Sequence, residues 1–235
     1  MHRRNSRRNS RRTSRRTALA LSSAALVAVP LLTACGNEAP HPGAAAVVGS
    51  ERITVSQLQV RVNEVRAAQR AATGNGRQYE QAIAKSGGLT RSTLNSMVFD
   101  RVLHQAATDA GIGITRKQIQ DHEAEMARQA GGAKQLRLAL LQQYNVAPQR
   151  VDEMSRTDLE VLALGKQVGA DMQSQNPADQ APFWKALDQA SKKLNVDLNP
   201  RYGTWDIAKA RGRADAKTPW VREVTAAGAE GKQPM

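Results

Sequence analysis

The chain has one cysteine, two phenylalanines, three tyrosines and three tryptophans in 235 residues, so aromatics make up only 3% of it. A lone Cys excludes an internal disulfide, and so few rings leave the core to aliphatic side chains. Residues for catalysis are equally sparse. The four histidines are His2, His41, His104 and His122. His122, in "DHEAE" (Asp121–Glu125), has neither a His four positions on nor a Cys with which to share a metal, so a solvated helix face is expected. Asp109, Glu123 and Glu125 stand in no recognisable acid–base arrangement, and there is no Gly-rich phosphate loop and no nucleophile elbow. No catalytic residue, no metal and no cofactor is expected, and the chain reads as non-enzymatic.

Basic charge is abundant but unevenly placed. Residues 1–34 contain eight Arg, no Lys and no acid; taking these eight from 34 basic residues leaves 26 against 21 acidic ones. The formal net charge of +13 thus falls to about +5 beyond position 34, which removes most of the case for a nucleic-acid partner. The arginines belong to "RRNSRRNSRRTSRR" (Arg3–Arg16), followed by the apolar run "ALALSSAALVAVPLL" (Ala18–Leu32). That run suits the core of an export signal and is short for a membrane span. It closes in "LTAC" (Leu32–Cys35), which resembles the lipobox of bacterial lipoproteins. The resemblance implies cleavage between Ala34 and Cys35, diacylglycerol and acyl lipid on the Cys35 thiol, and an extracytoplasmic domain anchored to the membrane. Two lipid chains suffice for stable anchoring. "SRRTALA" (Ser14–Ala20) also resembles a twin-arginine signal, with Leu19 in place and Ala18 where Phe is usual. A positive segment serving general secretion accounts for it equally, so the export route stays open.

The chain is expected to divide into a signal peptide over 1–34, a lipidated Cys and flexible tether over 35–45, a helical domain over 46–205 and a poorly ordered tail over 206–235. Gly49-Ser50, between Val47-Val48 and Ile53, predicts a small hairpin. Apolar spacings of three and four predict helices from Thr54 to Thr73, from Thr90 to Ala110, after Thr115, over Ala133–Tyr144, over Pro148–Met172 and over Pro182–Leu194. Tyr79–Leu89 is ambiguous, and "SQNPADQAP" (Ser174–Pro182) reads as a connector. "ITVSQL" (Ile53–Leu58) and "ITRKQI" (Ile114–Ile119) repeat one pattern: a Thr-x-x-Gln capping box between two apolar staple residues, which marks helix starts. "GIG" (Gly111–Gly113) supplies a Schellman ending. "VDLNPRYGTW" (Val196–Trp205) reads as a short strand and turn, able to pair with Val47–Ile53 while Trp205 packs at that junction.

The order of these parts, a "VVGSERITVSQL" opening, then "STLNSMVFDRVLHQAATDAGIGITRKQIQDHEAEM", then "LLQQYNVAPQRVDEMSRTDLEVLALGKQV", resembles the SurA N-terminal domain family, the chaperone portion of envelope foldases of the SurA and PrsA type. The resemblance covers roughly Val47–Val168, with "LNVDLNPRYGTW" similar to the segment that returns to the domain in that family. It implies a mainly α fold, a small β element pairing the N- and C-terminal segments, and ATP-independent binding of unfolded or extended segments of exported proteins. Family foldases often carry a parvulin prolyl-isomerase domain between the long helix and the returning segment. Here only Gln173–Ala181 and one helix intervene, so chaperone-like binding is expected without isomerisation. Two other readings stand beside it: a structural lipoprotein docking one folded envelope partner, and an isomerase-related foldase. Met97, Phe99, Met126, Leu140, Met154 and Leu162 are the apolar side chains that could line a client groove, each of them in competition with a place in the core.

Overall fold

The computed structural model describes residues 42–74 and 76–214. Ala34 and Cys35, the leader and most of the tether, and the tail from 215 onward, Trp220 included, lie outside the described residues.

The described part begins with the expected hairpin. β1 (Ala44–Val48) and β2 (Glu51–Thr54) pair antiparallel with Val48 opposite Glu51. Gly49 turns the chain at φ +61°, a left-handed conformation that L side chains adopt at a cost. A Cβ there would also stand 3.0 Å from Leu194. On its other edge β1 pairs antiparallel with β3 (Asp197–Leu198), placing Ala46 opposite Leu198 and making β1 the middle of a three-stranded sheet. Ala44, Ala45 and Ala46 are fully buried, as a central strand covered by a helix requires.

Eight helices carry the rest. α1 (Val55–Thr73) and α4 (Arg116–Gln129) start at the two capping boxes. Gln57 N–H donates to Thr54 Oγ1 at 3.0 Å and Thr54 N–H to Gln57 Oε1 at 2.8 Å; Gln118 and Thr115 repeat the exchange at 3.3 and 2.8 Å. The staple residues Ile53, Leu58 and Ile119 are buried, and Ile114 is half-buried. Tyr79–Leu89 resolves into an exposed helix, α2 (Arg77–Lys85). α3 (Leu89–Asp109) is the spine: Leu94, Met97, Val98, Val102, Leu103 and Ala106 are buried along it, and it packs against α1, α6, α7 and β1. It ends in the predicted Schellman geometry, Ile112 N–H donating to the Ala107 carbonyl at 2.8 Å beyond Gly111. α5 (Ala133–Tyr144) follows.

Three stretches depart from the sequence reading. The single helix expected over Pro148–Met172 is a 3₁₀ turn (Pro148–Arg150) followed by α6 (Val151–Val168), which Gly169 ends at φ +72°. Met172 then folds back against Gly165, where a Cβ would lie 3.0 Å from Met172 Cγ. α7 (Pro177–Leu194) starts five residues before the expected Pro182. Asn176 caps it, its Oδ1 accepting from Ala178 N–H at 3.1 Å, and Asp179 and Gln180 tie the cap to Ser174. The first turn is thereby held although Pro182 lacks an N–H. Finally, regular structure runs past Trp205 to Ala214: β4 (Thr204–Asp206), a one-turn α8 (Ile207–Ala210) and β5 (Gly212–Ala214), with β4 and β5 forming a hairpin. Ile207 is 2% exposed in the main core, and Arg213 N–H donates to Asn95 Oδ1 at 2.7 Å. Trp205 donates to Ser191 Oγ at 2.7 Å and packs on the same core.

The fold is therefore mainly α, with a small sheet joining the N- and C-terminal segments of the domain. Among the described residues no helix is long and apolar enough to cross a membrane.

Candidate functional site

α1, α3, the end of α5 and α6 enclose a cleft of about 500 Å³. The helical period supplies its walls. Arg150, at the end of the 3₁₀ turn, and Glu153, Met154, Thr157 and Asp158 of α6 follow at spacings of three and four along one face. On α3, Met97, Phe99 and Asp100 face the same space. Tyr144, at the end of α5, stands 62% exposed at the rim. Asn145, left-handed at φ 55°, turns the chain there, and Gln69 Nε2 of α1 donates to its Oδ1 at 3.3 Å.

Two ion pairs link α1 across the cleft to the 3₁₀ turn and to α6. Arg150 engages Glu64 through two hydrogen bonds of 2.7 and 2.8 Å, and Arg61 meets Glu153 at 2.5 Å. The bidentate pair is the stronger geometry, and the Arg150 guanidinium holds the Glu64 carboxyl below its ordinary value. Two carboxylates behave in the opposite way. Burial pushes Asp100 up to about 6, the Glu153 charge adding to it, against the Thr157 hydroxyl at 3.1 Å and the fields of Arg61 and Arg101. Burial also raises Asp158, with His122, 3.7 Å away, working against it.

A second cavity, of about 580 Å³, lies beyond Arg61, Asp100, Glu153 and Thr157, which line both spaces. Its remaining walls are mostly charged, including Arg101 with Glu51 at 2.8 Å and His104 with buried Glu160 at 2.9 Å. Partly exposed apolar side chains are more numerous along the first cleft, where Phe99, Tyr144, Val146 and Met154 stand against Leu194 in the second.

The structure brings together only part of the apolar set expected from sequence. Met97, Phe99 and Met154 line the cleft. Met97 is itself 5% exposed, while Phe99 and Met154 are half-buried. Leu140 is a correction: it is buried with Leu136 and Val151 in a satellite core, and Met126 packs against that cluster. Leu162 is 52% exposed but lines neither cavity. The acids noted in the sequence serve as surface partners: Asp109 hydrogen-bonds Lys193 at 2.6 Å, Glu125 pairs with Arg128, and Glu123 is raised by burial and by Asp152. Sequence reasoning missed Tyr144 and the polar stripe of α6. The stripe's spacing of three and four was readable, but an amphipathic helix is ordinarily read by its apolar face alone.

No curated protein and no solved structure matches this chain. A family model does, that of the SurA-like N-terminal domain, over residues 7–165. The match takes in well over half of the 235 residues and ends within α6, leaving α7 and the β3–β5 segment beyond it. The family is chaperone-like, and its domains are typically those of extracytoplasmic envelope proteins. Matched over that span, and mainly helical with its small sheet where the resemblance placed it, the chain belongs to the SurA-like N-terminal domain family.

Proposed function

We propose that this protein is a membrane-anchored, extracytoplasmic chaperone that holds unfolded or extended segments of exported polypeptides, without ATP, cofactor or catalysis. The observation that carries the reading is the cleft between α1, α3 and α6, where Phe99, Met154 and exposed Tyr144 offer apolar surface inside a chaperone-like family domain. Adaptable Met and a rim aromatic suit reversible burial of varied client side chains. Anchoring through Cys35, read from "LTAC", would concentrate the domain where clients emerge. One helix, α7, separates α6 from the returning β3, which favours holding over prolyl isomerisation.

The test is aggregation of a chemically denatured client, followed by light scattering, with soluble protein lacking residues 1–35. Suppression at a few-fold molar excess is expected. Tyr144→Ala should weaken it several-fold with an unchanged melting temperature, because Tyr144 buries little in the fold. No suppression by the unmutated protein, or capture of one folded stoichiometric partner in its place, would overturn the proposal.

A further inference from the structure

The charges of the cleft do not cancel evenly. Of its three arginines, Arg150 is held by Glu64, Arg61 by Glu153, and Arg211 stacks on Trp184 at 4.9 Å from the ring centroid. Two carboxylates remain without a cation at hydrogen-bond distance. Asp100 has the Thr157 hydroxyl at 3.1 Å, and Asp158 has His122 at 3.7 Å. Asp158 sits one helical turn beyond Met154 on the same face of α6, a separation of about 5–6 Å. In an extended peptide, side chains two residues apart share one face and stand roughly 6.6 Å from one another.

Resting on the polypeptide-binding reading above, we propose that the cleft selects extended segments in which an apolar residue is followed, two positions on, by Lys or Arg: the apolar side chain covers Met154 and Phe99, and the cationic head reaches Asp158 and Asp100. A lysine or arginine stem is apolar along its length and can lie against Met154 while its head stays at Asp158, one turn away. The cleft is the site, and its lining carries four carboxylates against three guanidinium groups, an excess of negative charge that decides which segments fit it. Asp100 and Asp158 are then specificity-determining residues. An acidic residue at the same place in a client meets two carboxylates and is rejected.

The experiment is fluorescence anisotropy on the purified full chain in detergent, with labelled extended peptides carrying apolar–x–Lys and the same peptides with acetyl-lysine or Glu at that position. Acetylation keeps the stem and removes the charge. The wild-type chain should bind the acetylated peptide about tenfold more weakly, and the Glu peptide more weakly still. In Asp158→Asn and in Asp100→Asn/Asp158→Asn the penalty for acetylation should shrink below about twofold, a coupling that a merely structural role for these residues would not produce. Equal binding of Lys and acetyl-lysine peptides to the wild-type chain overturns this inference and leaves the chaperone reading standing. Failure of every peptide to bind overturns both. The wild-type comparison stands without either variant, so a misfolded mutant does not rescue the idea.

Discussion

Asp100 and Glu64 face the same cleft and bend the pH dependence of stability in opposite directions. The folded Asp100 carboxyl is pushed above its ordinary 3.8 to about 6, so the native state binds the proton more tightly than the unfolded chain. Its effect is a loss of stability as pH rises through that window, complete above about pH 6. A shift of about two units corresponds to roughly 2–3 kcal/mol. Asp100→Asn keeps an oxygen for Thr157 and removes the charge, so it should stabilise the fold by about 2 kcal/mol at pH 7. Urea midpoints measured from pH 4 to 7 should also show a flatter profile than the parent's. Glu64 contributes the reverse, since Arg150 holds its carboxyl below 4.5; that stability is present above the unfolded value and lost as pH falls further. Neither effect was legible in the sequence, where Asp100 reads as one more polar residue on α3. The same holds for Leu140 and Met154, both apolar on helices. Both belong to the same satellite cluster, yet only Met154 also lines the cleft, and that depends on how α5 and α6 are set against α1 and α4.

Elements whose limits are fixed locally were readable from the chain. A capping box is an exchange between residues three apart, and a Schellman ending needs one Gly and one apolar neighbour, so Thr54, Thr115 and Gly111 announced the helices they bound. Thr115→Ala should cost about 1 kcal/mol, read from denaturant midpoints, while peptide binding stays unchanged because α4 lines no wall of the main cleft. Elements fixed by distant partners were not readable. The start of α7 depends on Ser174, Asn176 and Asp179 acting together, against the ordinary meaning of Pro182. The β4–β5 hairpin is too short to hold alone and is secured by Asn95 of α3 and by buried Ile207. Gly165→Ala is the matching test inside α6: the added methyl meets Met172 at 3.0 Å. It should lower the melting temperature by several degrees through misplacement of the segment that leads into α7.

For the whole molecule, closure of the sheet is what makes one domain of the described residues. β1 lies between β2, its neighbour in sequence, and β3, reached after seven helices. Asn199 reinforces the junction, donating from its side chain to the Ala44 carbonyl at 3.1 Å and from its backbone to Ala45 at 3.0 Å. A chain ending at Asn195 would leave one edge of β1 unpaired and uncover Ala44–Ala46. It should lose cooperative thermal unfolding in calorimetry while keeping most of its helical circular dichroism.

The two sides of that junction are 155 positions apart, and a ribosome delivers the chain in sequence order. The first strand would therefore wait, its edge open, until almost all of the domain had emerged. During that interval the newborn chain carries an unpaired strand edge, open to pairing with other chains. Completion of the domain therefore rests on one late, long-range pairing and not on its helices, whose caps are set within a few residues.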